Sequence, residues 1–291
     1  MQPMNGDSTP SAHSSGAARG RRTAPRALAW LAVAALAAAA ASPAMADDAP
    51  ARPLEGAIGL VLSNGPEYAG ASRRSWDLVP AGFIRYGRFS LSGAGGFSTR
   101  RNEDVERGAA ASLMERDTLR VSLGLSADSG RRESSSERLR GMGDIEGTLR
   151  ASLRLRWRPD RNWAFTTGLN VDALGRGSGW WLFGGASRSW SLGPDTSLTA
   201  GMSLRWAGSS YLQRRFGVTP AQSEATGYEV YTPGAGFTDL GADLRLRTEF
   251  GPRWGGFAGV GASWQLGPAV RSPLVDRRLG VSLSGGLVWR F

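Results

Sequence analysis

Polar and charged side chains occupy every second position in several stretches of this 291-residue sequence. In DIEGTLRASLRLRWR (144–158) they alternate with apolar residues. Successive side chains of an extended strand point to opposite faces, so such a strand has one charged face and one apolar face. A helix fits less well, because Gly147 would lie in its interior, where glycine costs roughly 1 kcal/mol relative to alanine. Carboxylates and guanidinium groups on one face could pair with each other or line a polar channel.

We predict that the charged positions of these strands form one network inside the protein. Its members are Glu146, Arg150, Arg154, Arg156, Asp172, Arg205, Asp239, Asp243, Arg245, Arg247 and Glu249. Because both signs are present, we favour interlocking ion pairs that fill the interior over a conducting path, and both remain open. The loop at 210–235 could fold inward as a further plug.

The residue types available exclude most enzyme chemistry. All 35 basic residues are arginine, there is no cysteine, and the single histidine, His13, lies near the N-terminus. Beyond residue 46 the chain therefore lacks the histidine, cysteine and lysine on which common nucleophilic, Schiff-base and zinc chemistry depends. Carboxylates such as Asp239 and Asp243 are better explained as partners of arginine. We predict a noncatalytic protein without cofactor or metal.

The first 46 residues have the pattern of a cleaved export signal. Arginines precede an alanine-rich apolar run at 27–41, and Ala44 and Ala46 provide the small residues of a cleavage site. The rest carries 31 arginines against 24 acidic residues, a formal net charge of +7. It has no run of about 18 apolar residues that would form a spanning helix. We expect residues 47–53 to form a short periplasmic segment.

Alternating stretches recur along the whole remaining chain. They predict about twelve strands, with ten as the alternative, at 54–63, 75–86, 88–99, 108–116, 118–128, 144–158, 163–174, 179–192, 197–209, 236–250, 254–266 and 279–291. Short turns alternate with longer loops, which is the organisation of an outer-membrane barrel with its short turns in the periplasm. In a bilayer every backbone polar group needs an internal partner, so the strands must close. We therefore predict an all-β, antiparallel, monomeric transmembrane barrel over residues 54–291.

Tryptophan positions provide an independent indication of a membrane barrel. Five of the ten tryptophans after residue 46 lie near the short-turn ends of predicted strands and five near the long-loop ends, as two aromatic girdles at the membrane interfaces would. The predicted girdle residues are Trp76, Trp157, Trp163, Trp180, Trp181, Trp190, Trp206, Trp254, Trp264 and Trp289.

The charge pattern also fixes the register of the strands. Slipping the register by one residue would turn the arginines of 144–158 toward lipid, at a cost of roughly 2–4 kcal/mol each near the midplane.

The segment SSYLQRRFGVTPAQSEATGYEVYTPGAG (209–236) resembles the signature loop of the MipA/OmpV family, the MltA-interacting proteins of Gram-negative outer membranes. PEYAGASRR (66–74) and RSPLV (271–275) are also similar to family segments, so the resemblance spans residues 56–291. Arg215 and Thr226 depart from the usual pattern, where an aromatic residue and serine are common. The matching signature residues are Tyr211, Phe216, Gly217, Val218, Gln222, Gly234, Ala235 and Gly236.

The resemblance implies a scaffold that brings a periplasmic murein transglycosylase together with a peptidoglycan synthase. It also implies links to adhesion and to antibiotic or osmotic stress, and it supplies no catalytic residue. A small-solute pore and a surface adhesin are the alternative functions. The terminal Phe291 resembles the signal that the outer-membrane assembly machinery recognises. Expected partners are therefore this machinery, membrane lipid and lipopolysaccharide, whose phosphates arginine-rich loops could bind, and not nucleic acid.

Overall fold

The structure, a computed structural model, describes residues 54–93 and 107–291. The predicted signal peptide with Ala44 and Ala46, the segment 47–53 and residues 94–99 of the third predicted strand lie outside these residues. No helix within the described part is long and apolar enough to cross a membrane.

Twelve antiparallel strands form a closed barrel in which each strand pairs with its neighbours in sequence and the last pairs with the first. The strands are β1 (Leu54–Pro66), β2 (Arg74–Tyr86), β3 (Phe89–Ser92), β4 (Gly108–Glu115), β5 (Leu119–Asp128), β6 (Thr148–Trp157), β7 (Trp163–Asp172), β8 (Trp180–Ser191), β9 (Thr196–Ala207), β10 (Gly236–Glu249), β11 (Trp254–Gln265) and β12 (Leu279–Arg290). The predicted strand number and barrel architecture are confirmed. Each strand has a paired neighbour on both sides, with β3 described over four residues of pairing to each of its neighbours. A membrane-embedded sheet requires such closure.

The alternation of side chains divides the wall into an outer apolar face and a lumen face. On β1, Ile58 and Leu60 are more than half exposed on the outside, whereas Ala57 is fully buried on the lumen face. The lumen contains one apolar cluster near this strand, formed by Ala57, Ala81, Phe83 and Val288. An exposed aliphatic face of this extent is expected where the surrounding solvent is lipid.

Short turns join the strands at one end of the barrel. In the turn between β6 and β7, Asp160 accepts hydrogen bonds from the backbone N–H groups of Asn162 and Trp163 at 2.7 and 2.8 Å. These two bonds hold the pKa of Asp160 below its usual value, and the bond from Trp163 has the larger effect. Gly87, in the turn between β2 and β3, has a φ of 56°, which few other residues adopt readily.

Long loops at the opposite end contain helices that the strand prediction did not include. These are α1 (Ser209–Phe216), α2 (Pro220–Thr226) and α3 (Gly267–Val270). Helix α2 begins with a capping box between Thr219 and Gln222 and has proline in its first turn, both of which favour a helix start. The sequence prediction treated 210–235 as a loop, although this capping pattern is present in it.

Candidate functional site

The long loops pack together into what we call the cap, defined as residues 67–73, 129–147, 173–179, 208–235 and 266–278. One cap core consists of Leu139, Met142, Val218 and Leu274, with three tyrosines packed against it. These residues come from loops that follow β5, β9 and β11, and the tyrosines include Tyr68 from the loop after β1. Because these loops leave the ring at separate points and share one core, the cap lies across the mouth of the barrel at its long-loop end.

A second apolar cluster attaches the cap to the wall. It contains Leu212 and Phe216 of α1, Ala207 at the end of β9 and Ala269 of α3. Leu212, Ala207 and Ala269 are fully buried. Helix α1 is therefore packed into the structure and does not extend into solvent.

An ion cluster beneath α1 joins the cap to the barrel wall. Asp128, the last residue of β5, accepts hydrogen bonds from Nε and Nη2 of Arg150 at 3.2 and 3.1 Å. Both of its carboxylate oxygens also accept a bond from Nη2 of Arg215, at 2.9 Å. The backbone N–H of Gly130 donates a further bond at 3.0 Å. We call Asp128, Arg150 and Arg215 the latch, because Arg150 belongs to the wall and Arg215 to the cap.

Arg150 connects the latch to another part of the cap. Its Nη1 donates to the carbonyl oxygens of Ser178 and Gly179 at 3.1 and 3.0 Å. Its guanidinium lies 5.6 Å from the ring centroid of Tyr211. With 4% of its surface exposed, Arg150 is a nearly buried charge. Such a charge is stable only with these hydrogen-bonding partners in place.

Titratable groups elsewhere in the cap are also perturbed by burial. Desolvation, and then the nearby charge of Arg215, lower the pKa of Arg131 to about 10. The Nη1 of Arg131 donates to the carbonyl oxygen of Arg215 at 3.0 Å. Burial, and then the charge of Asp276, raise the pKa of Tyr68, whose hydroxyl donates to the carbonyl of Leu274 at 3.0 Å.

Several predicted network residues face the lumen as separate ion pairs. Arg205 lies 3.4 Å from Asp239, and Glu249 lies 3.2 Å from Arg290, a partner that the sequence pattern had not identified. Asp172 accepts hydrogen bonds from the Thr148 hydroxyl and from the backbone of the cap loop after β7. Charges of opposite sign therefore do pair on the lumen face.

The prediction that Glu146 belongs to the charge network is wrong. This residue is exposed in the loop before β6, which begins only at Thr148. The apparent alternation continues through Gly147, where a Cβ atom would lie 2.8 Å from the carbonyl oxygen of Asp128. The chain is too close to β5 at this point to carry a side chain there, and the strand pattern ends.

The remaining predicted charges line cavities at the short-turn end of the barrel. A cavity of about 460 Å³ is lined by Arg154, Arg156, Asp243, Arg245 and Arg247, together with turn residues. We call it the basic vestibule. A neighbouring cavity of about 690 Å³ has three arginines and three acidic residues in its lining. Among the described residues, no three acidic side chains come together as metal ligands would.

Most predicted girdle tryptophans lie on the outer face. Trp76, Trp157, Trp163, Trp180, Trp190, Trp254 and Trp264 are exposed there, and Trp206 and Trp289 are partly exposed. The prediction that Trp181 belongs to a girdle is wrong. This residue lies on the lumen face, with the Arg205 guanidinium 4.7 Å from its ring centroid. Adjacent strand residues point to opposite faces, so Trp180 and Trp181 cannot both face lipid.

The signature residues belong mainly to the cap. Phe216 and Val218 are buried, and the Gln222 side chain donates to the carbonyl of Met142 at 2.6 Å. Gly217 leaves no room for a side chain, since a Cβ atom would lie 2.5 Å from the backbone carbonyl oxygen of Gln213. Tyr211 covers Arg150, and Gly234, Ala235 and Gly236 lead into β10. The signature therefore describes how the cap folds.

Phe291 lies at the seam where β12 meets β1. Its backbone N–H and carbonyl exchange hydrogen bonds with Gly56 at 3.0 and 3.2 Å. A side chain on Gly56 would collide with the Phe291 ring, because a Cβ atom there would lie 2.3 Å from Cζ. The ring is half exposed and lies 5.5 Å from that of Trp289.

Comparisons with solved structures found outer-membrane barrels. The KdgM porin shares 9% identity at a TM-score of 0.39, over 81% of this chain and 99% of its own. An outer-membrane channel from Pseudomonas putida F1 shares 13% identity at a TM-score of 0.39, over 86% and 99% of the two chains. A bacterial polysaccharide outer-membrane secretin shares 14% identity at a TM-score of 0.39, over 84% and 100%. At such identities the likeness concerns the fold alone.

Curated proteins gave no significant match to the sequence. A family model described as MltA-interacting protein MipA matches residues 58–291, which include every strand from β2 to β12 and the whole cap. The fold and this match indicate the outer membrane as the location of the protein. The chain therefore belongs to the MipA family of MltA-interacting proteins.

Proposed function

We propose that this protein is a noncatalytic outer-membrane barrel, closed on its outer side, that binds a murein transglycosylase at its periplasmic end. The observation that carries the proposal is the cap, whose loops from separate parts of the ring share one buried core. A barrel designed for free diffusion would leave its mouth open. Here the opening is crossed by packed helices and loops.

The latch supports the closed state. Moving α1 out of the mouth would separate Arg215 from Asp128 and expose Leu212 and Phe216, which are 0% and 5% exposed. Asp128 would keep Arg150 as a charged partner, so the main cost is the exposure of the two apolar side chains, at about 1.5–3 kcal/mol each. We infer that the closed state is strongly preferred.

The orientation follows from the general organisation of such barrels, in which short turns face the periplasm. The partner is suggested by the family description, which names an interaction with MltA. A peptidoglycan synthase as a second partner is an extension of the same scaffold proposal. The binding surface would include the exposed turns, for example Arg161 and Arg253.

Binding of a purified murein transglycosylase to the detergent-solubilised barrel tests the scaffold role. We expect saturable binding by surface plasmon resonance, weakened in an Arg161→Ser, Arg253→Ser variant. A variant of the opposite end, Arg271→Ser, Arg277→Ser, removes the same charge and should bind as the native protein does. Absence of binding by the native barrel would contradict the scaffold proposal.

A small-solute pore is the second candidate, and the two lumen cavities favour it. Single-channel recording in planar bilayers separates the two functions. We expect the native protein to be almost silent. Steady current from the native protein would favour the pore and overturn the closed-barrel proposal.

A further inference from the structure

The basic vestibule has a strong excess of one charge. Ten arginines contribute to its lining, against two acidic residues, Glu115 and Asp243. The arginines are Arg85, Arg88, Arg107, Arg120, Arg154, Arg156, Arg158, Arg161, Arg245 and Arg247. The neighbouring cavity at the same end of the barrel is lined by equal numbers of arginines and acidic residues. The excess is therefore local to the vestibule and does not simply repeat the basic composition of the chain.

The strand arginines stand in two pairs on separate parts of the wall. Arg154 and Arg156 lie two residues apart on β6, and Arg245 and Arg247 have the same spacing on β10. Strands β7, β8 and β9 lie between them in the barrel. Their contribution to the lining consists largely of small and hydroxyl residues: Ala164, Thr166, Gly185, Ala186, Ser187, Ser189, Ser197, Thr199, Gly201 and Ser203.

Two residues of like charge stand at opposed positions in the vestibule. Arg120 on β5 is paired directly opposite Arg156 on β6. Like charges at opposed positions of neighbouring strands destabilise a sheet. Glu115 forms an ion pair with Arg120, but the lining as a whole keeps a formal excess of eight positive charges. Departures from the stable arrangement are expected where a residue serves binding and not folding.

We propose that the basic vestibule is a binding site for an acidic oligosaccharide that enters from the periplasm. Guanidinium groups bind carboxylates through two parallel hydrogen bonds, and two arginine pairs can hold acidic groups on different sugar units. The hydroxyl and glycine wall between them offers hydrogen bonds and space to a polyhydroxylated chain. Concentrated positive charge in a cleft also raises the local concentration of anions. The inference rests on the proposed orientation and closed cap, so the ligand binds and does not pass through.

Isothermal titration calorimetry of the full-length mature barrel in detergent tests this site. The probe is a hyaluronan tetrasaccharide, whose uronate units carry carboxylates, and the matched neutral sugar is tetra-N-acetylchitotetraose. We expect binding of the hyaluronan fragment alone, weakening as salt is raised. Arg154→Ser, Arg156→Ser and, separately, Arg245→Ser, Arg247→Ser should each lower the affinity roughly tenfold or more. The control pair Arg271→Ser, Arg277→Ser lies in the cap and should leave affinity unchanged.

Equal binding of the charged and neutral sugars would overturn the proposal, as would an equal loss in the cap control. Binding of hexa-aspartate in place of the hyaluronan fragment would also overturn it, because the occupant would then be an acidic peptide. If a serine pair does not fold, as judged by heat-modifiable electrophoretic mobility, Arg154→Gln alone replaces it and the same reduction is expected. No current or protein partner enters these measurements, so their failure leaves the tests of the cap and of the transglycosylase unaffected.

Discussion

Replacing Asp128 is expected to loosen the cap and convert a silent barrel into one that opens. The carboxylate receives hydrogen bonds from Arg150 in the wall and Arg215 in the cap, at 2.9–3.2 Å. In Asp128→Asn these two cations lose their shared counter-charge and repel each other. The closed state is destabilised, whereas in an open state Arg215 would be hydrated.

The size of the effect follows from the burial of the latch. The side chains of Arg150 and Asp128 are 5% and 19% exposed, and that of Arg215 is 27% exposed. Losing one partner of a buried ion pair costs about 3–5 kcal/mol, and the partial exposure favours the lower value. At about 1.4 kcal/mol per factor of ten, a loss of about 3 kcal/mol raises the open fraction roughly 100-fold.

Single-channel recording in planar bilayers measures this fraction directly. Asp128→Asn should show openings roughly 100 times as often as the native protein. The matched control is Glu137→Gln, which removes an acidic partner from the same cap. Its ion pair with Arg73 is exposed, with side-chain exposures of 63% and 61%. Exposed pairs contribute about 0–1 kcal/mol, so the control should change opening by less than about fivefold.

The reasoning would be refuted by an Asp128→Asn variant that stays as silent as the native protein while remaining folded. It would also be refuted if the Glu137→Gln control opened as often as Asp128→Asn. In either case the latch would not hold the cap, and closure would depend on the apolar cores alone.

Four further substitutions test other parts of the structure. Tyr68→Phe removes the hydrogen bond to the Leu274 carbonyl and should weaken the cap by about 1–3 kcal/mol, seen as faster hydrogen exchange there; unchanged exchange would contradict this. Thr219→Ala removes a helix cap and should cost about 1 kcal/mol, measured by limited proteolysis of 208–235, whereas a rate equal to the native one would show that packing alone fixes this helix. Phe291→Ala should reduce the amount of barrel assembled in outer-membrane fractions, while Gly56→Val should do the same by steric collision with that ring; normal assembly of both would argue against a role for the seam aromatic.

The strand arrangement could be predicted because lipid and lumen impose the same constraint on every strand. Each apolar residue that faces lipid must be followed by one that faces the lumen, so the signal repeats twelve times. Trp181 was misplaced although the information was present. It directly follows Trp180, and two successive strand residues cannot share a face. Parity along the strand, and not closeness to a strand end, decides which face a tryptophan occupies.

The latch could not be predicted from the same pattern. Asp128 ends a strand and Arg215 belongs to a helix far along the chain, and their meeting depends on how five loops fold together. No local periodicity in the sequence indicates such a contact. The suggestion that residues 210–235 fold inward agrees with the position of α1 in the mouth, but its two helices were not anticipated. The capping pattern at Thr219 and Gln222 was the available signal.

The seam between β1 and β12 has a consequence for the time course of folding. Residues 57–64 pair with residues 283–290, so the barrel is closed by contacts between opposite ends of the described chain. Contacts this distant in sequence form slowly, because the entropy of the long intervening chain must be lost first. Until the last strand arrives, both edge strands have unpaired backbone groups that could pair with another molecule. The newly made chain therefore needs protection until its final residues are available, and a truncation of even the last few residues should leave an open, aggregation-prone sheet.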